Sequence, residues 1–313
     1  MKKKILVTGG SGFIGSHLVK ELIKKNFAVA ITTKYESLYD NIRLKEVWEE
    51  IEIIECDITY SSNIKKIKKY KPEIIFHLAA YNDVKGSFNN YEDSLLSNAT
   101  GTANLLENLD KFSQFIYVST SEVYGEQDTG IFRENLKPNP ISPYSIGKYS
   151  GEMYAAMHMK FYNKPIKIIR PFNIFGPYQS AKAVIPELIL KFLKNETVKI
   201  TKGKQTREFN YVINSVKYFL KVLDNNKCFN KTINISDGHE INIENLAKKI
   251  KYLTNSNSKI IVGGLKERNS EIRKMSSSNV LRNKILGRIK KISFENGLIE
   301  TIKWHRDFYN LYK

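Results

Sequence analysis

Short apolar runs alternate with helical segments from Lys3 to Arg170. Apolar runs between helices are typical of parallel strands buried on both faces, and strand–helix repetition indicates right-handed crossovers. The pattern therefore predicts an α/β fold around a doubly wound parallel sheet. The expected strands are Lys3–Thr8, Ala28–Thr32, Ile51–Glu55, Glu73–Leu78, Gln114–Ser119 and Ile166–Arg170, and the expected helices are Gly15–Lys25, Ile64–Tyr70, Asn90–Leu109 and Tyr144–Phe161.

The pattern is looser after Pro171 and favours a smaller α+β C-terminal domain. We expect Tyr211–Leu223 and a strand at Thr232–Ile235 to return to the main sheet. The predicted first domain therefore comprises residues 1–172 with about 209–236, and the second comprises 173–208 with 237–313. The other expected elements are helices at Ala183–Asn195, Asn242–Thr254 and Phe294–Tyr309, and strands at Lys231–Ser236 and Ser258–Val262.

Composition excludes several classes of protein. The 313 residues include only two cysteines, Cys56 and Cys228, which we expect to be reduced, packed thiols. No apolar run approaches the roughly 20 residues of a membrane span, and the apolar start ends at Thr8, too early for a signal peptide. The sequence thus predicts a cytoplasmic protein without a membrane role. The five histidines lack paired metal-ligand spacing, so no metal site is expected.

The net charge is +18, from 50 basic and 32 acidic side chains. Lysines are scattered along the whole chain, whereas nucleic-acid surfaces concentrate their basic residues on one face. We therefore expect no nucleic-acid partner. A positive field would still attract a small anionic substrate such as a nucleotide.

A glycine-rich turn follows the first expected strand and opens the first helix. Gly9, Gly12 and Gly15 lie three residues apart, and Gly10, Gly12 and Gly15 also match the pattern G-x-G-x-x-G. Glycine allows the tight bend and the close approach of a pyrophosphate to backbone N–H groups at a helix N-terminus. The position of this turn predicts a Rossmann-type dinucleotide site.

The expected carboxylate at the end of the second strand is missing. A dinucleotide fold usually has Asp or Glu there to hold the ribose 2′-hydroxyl, but this chain has Thr33 and Lys34. Lys34 would face either a 2′-phosphate or water, so the residues leave NAD and NADP open. Asp57 would either contact the adenine or cap a helix over Ser61–Tyr70.

Tyr144 and Lys148 are four residues apart, which places them on one face of a helix. A nearby ammonium favours tyrosinate, so we expect Lys148 to lower the pKa of Tyr144 and make it a base. Three other pairs share this spacing, but only Tyr144 starts a long helix and follows the hydroxyl-rich strand end at Thr120. Thr120 would bond the substrate oxygen that Tyr144 deprotonates, or cap the strand end.

Together these motifs resemble the extended short-chain dehydrogenase/reductase proteins, in the NAD-dependent epimerase/dehydratase branch that acts on nucleotide sugars. The similarity runs from about Lys4 to Arg306, and Tyr178–Pro186 most resembles the nucleotide-sugar 4,6-dehydratases of bacterial surface-sugar pathways. The motifs that carry it are Thr8–Gly15, His77–Ala80, Asn98–Leu106, Ser119–Gly125, Ser142–Lys148, Arg170–Pro177 and Thr206–Phe209.

The resemblance implies an enzyme that binds NAD, with NADP not excluded, and a nucleotide-diphosphate sugar. It also implies a homodimer or higher homo-oligomer built on the helices Asn90–Leu109 and Tyr144–Phe161. The implied cofactor residues are Gly9, Gly12, Phe13, Ile14, Gly15, Thr33, Lys34, Asp57, Ile58, Leu78, Ala79, Ala80, Tyr144, Lys148 and Pro171. The implied substrate residues are Ser121, Asn173, Val184, Arg207 and Arg268, with the two arginines on the pyrophosphate.

The implied reaction removes a hydride from sugar C4 after Tyr144 and Thr120 take the hydroxyl proton, which gives a 4-keto sugar for surface polysaccharide or glycan precursors. Without elimination, the enzyme is a 4-dehydrogenase or epimerase. If Glu122 removes the C5 proton, it is a 4,6-dehydratase, although Ser121 stands where many dehydratases have Asp. Decarboxylation and a non-catalytic NAD(P) sensor remain further alternatives.

Overall fold

Seven parallel strands form the central sheet in the order β12-β7-β5-β4-β1-β2-β3. The computed structural model describes residues 2–34, 42–266 and 272–311. The strands of this sheet are β1 (Lys4–Thr8), β2 (Ala28–Thr33), β3 (Ile51–Glu55), β4 (Ile74–His77), β5 (Gln114–Val118), β7 (Ile166–Pro171) and β12 (Thr232–Ile235). The predicted doubly wound α/β fold is confirmed.

Helices cover both faces of this sheet. The helices of the described residues include α1 (Phe13–Lys24), α2 (Ile64–Tyr70), α3 (Tyr91–Leu95), α4 (Gly101–Asn108), α5 (Pro143–Tyr162), α6 (Val184–Leu193), α7 (Val212–Asp224), α8 (Ile243–Thr254), α9 (Val280–Leu286) and α10 (Phe294–Leu311). Of these, α6, α8 and α10 pack against one another in the C-terminal half. Along β1, Ile5 and Val7 belong to one buried apolar cluster and Leu6 belongs to another. Because successive side chains of this strand face two different cores, both faces of the strand are apolar. The strand therefore appears in the sequence as an unbroken hydrophobic run.

Smaller sheets are built mostly from the C-terminal half. Their strands are β6 (Ile131–Phe132), β8 (Ile174–Phe175), β9 (Val198–Ile200), β10 (Thr206–Glu208), β11 (Asn210–Tyr211), β13 (Glu240–Asn242), β14 (Ile260–Val262) and β15 (Lys274–Ser277). Four of them form a sheet in the order β13-β10-β15-β6. Of these eight, only β14 was expected, because strands of two to four residues are too short to show a period.

The segment at about 209–236, which we expected to return to the main sheet, contains one strand of that sheet and one helix outside it. The β12 strand lies beside β7 at the edge of the main sheet, whereas Tyr211–Leu223 is mostly the helix α7, which packs against α1. The division into domains at 172, 209 and 236 stays a prediction. Within the described residues, no helix is long and apolar enough to cross a membrane.

The predicted helix Asn90–Leu109 is interrupted by a π-helical turn at Leu96–Thr100, between α3 and α4. Within this turn the buried Asn98 accepts a hydrogen bond from Tyr81 N at 2.9 Å and donates one to Tyr81 O at 3.1 Å. The extra residue turns the side chain of Asn98 toward the loop after β4. The turn therefore ties that loop to the helix beside α5.

Candidate active site

The carboxyl ends of β1 and β4 meet at one edge of the sheet. Thr8 Oγ1 lies 2.7 Å from His77 Nδ1, and His77 Nε2 lies 3.0 Å from Thr102 Oγ1 on α4. Burial lowers the pKa of His77 well below its usual value, so this ring is a neutral structural link. It holds the glycine turn after β1 against the loop after β4.

The glycine turn between β1 and α1 has no room for side chains. Gly9 has a φ of +67°, and a Cβ there would lie 2.9 Å from the backbone of Ala79. A Cβ on Gly15 would lie 2.3 Å from Gly9 O and would prevent the close packing of α1 on the turn. Gly12 is the N-cap of α1, and its missing Cβ leaves the helix N-terminus open to the cleft. This cradle fits a pyrophosphate.

A cleft of about 500 Å³ opens at this edge and brings most of the predicted residues together. Predicted residues that line it are Gly9, Gly12, Phe13, Ile14, Gly15, Thr33, Lys34, Ile58, Leu78, Ala79, Ala80, Thr120, Ser121, Glu122, Tyr144, Lys148, Pro171 and Asn173. Asp57, Val184 and Arg207 do not line it. Arg268 lies outside the described residues.

Asp57 is held at the end of β3 by local contacts. Its Oδ1 accepts hydrogen bonds from Thr59 N at 2.9 Å and Thr59 Oγ1 at 2.7 Å, and its Oδ2 lies 3.2 Å from Lys34 Nζ. Partial burial raises the pKa of Asp57, but the bonds from Thr59 and Lys34 outweigh it and lower the pKa overall. Asp57 therefore does not cap the following helix, and it pairs with the lysine that stands where a carboxylate was expected.

The start of α5 is fixed by a reciprocal cap. Ser142 Oγ accepts from Ser145 N at 3.1 Å, Ser145 Oγ accepts from Ser142 N at 3.0 Å, and Pro143 occupies the first turn. Ser87 Oγ also accepts from Tyr144 N at 3.2 Å. Because the first turn is held in this way, Tyr144 enters the cleft at a defined position beside Thr120.

Glu122 lies in the short 3₁₀ turn after β5, at Ser121–Tyr124, and Thr120 is the N-cap of that turn. Thr120 Oγ1 accepts a hydrogen bond from Glu122 N at 3.2 Å and is also hydrogen-bonded to the phenol of Tyr144. Thr120 therefore both caps the turn and contacts Tyr144. Ser121 Oγ donates to Met275 Sδ at 3.3 Å, which joins this turn to β15.

The protonation states differ from the sequence-based expectation. Burial raises the pKa of Tyr144 to about 12, the bond with Thr120 lowers it, and the charge of Glu122 raises it. Burial also lowers the pKa of Lys148 to about 7, although Glu152 acts to raise it. The prediction that Lys148 lowers the pKa of Tyr144 is wrong for this structure, because desolvation dominates and Lys148 Nζ donates instead to Val118 O at 2.6 Å.

Two predicted substrate residues, Asn173 and Arg207, lie near each other, with Asn173 inside the cleft and Arg207 outside it. Asn173 lines the cleft, and its Nδ2 donates to Glu208 O at 3.4 Å, next to Arg207 on β10. Arg207 is half-buried, and its Nη1 donates to Thr206 O at 2.8 Å. Val184 begins α6 and is also half-buried. Their roles toward a substrate stay predictions.

Several cleft residues were not predicted. Some of them lie within or beside predicted motifs and strand ends, so their position in the sequence could have indicated that they line the cleft. These are Ser11, Thr32, Cys56, Val118, Ser119, Phe172 and Ile174. Asn82, Val84, Ser97 and Gln179 come from loops and from the π-helical turn. Gln179 lies in the segment Tyr178–Pro186 that carries part of the family resemblance, but no periodicity or motif indicates the path of the segments with Asn82, Val84 and Ser97.

The sequence and the fold both match known proteins. The model of the NAD-dependent epimerase/dehydratase family matches residues 5–236. The chain belongs to this family and is an NAD-dependent enzyme of the epimerase/dehydratase type. The family resemblance expected from the motifs is therefore confirmed, as is NAD as the cofactor.

Its relatives carry different activities in their names. A putative UDP-glucose 4-epimerase of Methanocaldococcus jannaschii is 31% identical, over 97% of this chain and 98% of that protein. The dTDP-D-glucose 4,6-dehydratase of Homo sapiens is also 31% identical, over 99% and 92%. The UDP-glucuronic acid 4-epimerase of Bacillus cereus, solved with UDP-glucuronic acid and NAD, has a TM-score of 0.89 and 27% identity, over 98% of this chain and 100% of that chain.

We predict that Gly12→Ala weakens NAD binding about tenfold or more while the protein still folds. A Cβ at Gly12 would approach only Gly9 O, at 3.1 Å, but it would occupy the cradle. Isothermal titration calorimetry with NAD measures the change. Gly264→Ala is the matched control, because its Cβ also meets neighbours at 3.1 Å and it does not line the cleft. Equal NAD affinity in both variants would contradict the assignment of Gly12.

Proposed function

We propose that this enzyme oxidises C4 of the sugar in a nucleotide-diphosphate sugar to a 4-ketone, as a 4-epimerase or 4-dehydrogenase. The observation that carries the proposal is the contact between Tyr144 and Thr120 in a cleft that also contains the glycine turn. A phenol and a hydroxyl that share one hydrogen bond form a site for a substrate hydroxyl. Relatives named as nucleotide-sugar epimerases and dehydratases support this substrate class.

Four cleft residues have separate roles in the proposed reaction. When bound, NAD supplies the hydride acceptor and a positive charge that favours the phenolate form of a nearby tyrosine. Tyr144 takes the proton of the C4 hydroxyl, and Thr120 orients that hydroxyl through a hydrogen bond. Lys148 holds the ribose next to the nicotinamide, and the apolar wall at Pro171 excludes water.

The structure favours chemistry that stops short of dehydration. Many dehydratases have an aspartic acid in the position of Ser121, and a serine hydroxyl is a much weaker acid, which weakens the case for dehydration without removing it. Here the Ser121 hydroxyl is buried and donates to Met275 Sδ. Dehydration is the second candidate, because Glu122 lines the cleft and would be the base at C5.

The reaction type is tested by incubating the purified enzyme and NAD with UDP-, GDP-, dTDP- and CDP-sugars. Mass spectrometry and NMR of the sugar then separate the outcomes. We expect either an unchanged mass with inverted C4 or a loss of two hydrogens. A loss of water identifies the second candidate. No change in any sugar, with tight NAD binding, would contradict both candidates and favour a sensor.

We predict that Tyr144→Phe lowers kcat about 100-fold or more, since the variant keeps the ring but loses the proton acceptor. Turnover of the active sugar nucleotide measures the effect, and NAD titration shows whether the cofactor still binds. Tyr252→Phe is the control, because Tyr252 is 82% exposed and lies outside the cleft. A Tyr144→Phe enzyme with nearly normal kcat would remove Tyr144 from the mechanism.

We also propose that two copies of the chain pair through α3, the π-helical turn and α5. These elements pack against each other and leave large apolar side chains exposed. The exposed fraction is 37% for Leu95, 47% for Leu96, 45% for Ile146 and 51% for Met153. Ile146 and Met153 are seven residues apart, so they share one face of α5. A contiguous apolar face of this kind is typical of an interface.

We predict that Leu96→Glu with Ile146→Glu converts a dimer into a monomer, because buried carboxylates without partners oppose association. Sedimentation velocity at micromolar concentration measures the mass. Val280→Glu is the control, since Val280 is 74% exposed on α9, away from this face. A wild-type chain that sediments as a monomer would refute the proposed pairing.

A further inference from the structure

A buried carboxylate lies one helical turn beyond Lys148 on the inner face of α5. Glu152 is 4% exposed. Its Oε2 accepts hydrogen bonds from Ser119 Oγ at 2.6 Å and from Arg170 Nε at 3.1 Å, and its Oε1 is paired with Arg170 Nη2. A buried ion pair of this kind is weak support for stability, because desolvation opposes the attraction. The proton transfer proposed above does not use it, so its presence calls for a separate reason.

The contacts of Glu152 join the three chain segments that form the catalytic end of the cleft. Ser119 directly precedes Thr120 at the end of β5. Arg170 directly precedes Pro171 at the end of β7. The carboxylate therefore sets the spacing between α5 and both strand ends, and a change at Glu152 would reach the reacting groups through the backbone.

The groups that face Lys148 from α5 and β5 include one full negative charge. On α5, Tyr144 lies one turn before it and Glu152 one turn after it. From β5, the ring of Tyr117 lies with its centroid 4.5 Å from Lys148 Nζ, and Val118 O accepts from Nζ at 2.6 Å. The phenols are neutral at neutral pH because burial raises the pKa of both.

Among the described contacts, the strands β4 and β7 place no second anion beside Lys148. From β4, His77 is neutral because burial lowers its pKa, and the charge of Lys148 adds to that shift. From β7, Arg170 carries a positive charge that is paired with Glu152. Among these groups, Glu152 is therefore the anion that raises the pKa of Lys148, one helical turn away, while its two oxygens are paired with Arg170.

We propose that Glu152 is a positioning residue whose buried negative charge keeps Lys148 protonated in the cleft. The inference rests on the proposed roles of Tyr144 and Lys148 and extends them to a group that touches neither substrate nor cofactor. Lys148 is active as an ammonium, so its loss of a proton ends activity as the pH rises. Removing the carboxylate moves that loss to lower pH.

The test is a pH titration of Lys148 by NMR in NAD-bound enzyme that carries ¹³C at lysine Cε, with the signal assigned by its absence in Lys148→Met. We expect Glu152→Gln to lower the midpoint of Lys148 on the order of one pH unit. The alkaline limb of the kcat profile should move down by the same amount. The control Glu187→Gln removes the exposed partner of Lys191, 2.6 Å away, and leaves the Lys148 midpoint unchanged.

Glu152→Gln leaves Arg170 buried without a carboxylate. It is therefore compared with the double variant Glu152→Gln, Arg170→Met, which removes both charges. A purely structural role predicts that the double variant restores the wild-type midpoint, and that result would overturn the proposal. A lowered midpoint in both variants supports it. The NMR titration is independent of turnover, so a failure to convert any sugar nucleotide tests the proposed function separately.

Discussion

The close approach of α5 to the carboxyl edge of the sheet is the constraint on which the site depends. A Cβ at Gly147 would lie 3.1 Å from Ser94 O, and a Cβ at Gly151 would lie 2.5 Å from Asn98 O. These glycines let α5 pack directly against α3 and the π-helical turn, and Tyr117 OH donates to Lys148 O at 2.8 Å from the sheet side. With the helix this close, Lys148 and Glu152 on its inner face are almost fully excluded from solvent.

That face carries Tyr144, Lys148 and Glu152 at intervals of four residues, so the packing of this one helix buries the ammonium and the carboxylate and half-buries the phenol. Desolvation disfavours every charged form, which is why the phenol has a raised pKa and the ammonium a lowered one. The pKa values of the two groups therefore move apart, to about 12 for Tyr144 and about 7 for Lys148. In such a region a single added positive charge, as on NAD, has a large effect on the phenol.

Long apolar runs and the glycine turn made the main sheet predictable, because each strand between two cores is apolar throughout, as Ile5, Leu6 and Val7 are. The Tyr144 and Lys148 pair was predictable because helical spacing alone places both on one face. The short strands β6 and β10 have no readable period, and the π-helical turn depends on the tertiary contacts of Asn98. The pKa of Tyr144 was mispredicted because spacing reveals neighbours but not desolvation.

The division between epimerisation and dehydration is set by far fewer residues than the fold. The chain is 31% identical both to a putative 4-epimerase and to a 4,6-dehydratase, so overall similarity does not separate the two reactions. The residues proposed for oxidation, Thr120, Tyr144 and Lys148, come from the end of β5 and from α5, which the main sheet positions. The groups for a second step lie in the turn Ser121–Tyr124, and Ser121 is bonded to Met275 of β15. Because β15 belongs to the smaller mixed sheet, the proposed site for a second step is joined to that sheet as well as to the end of β5.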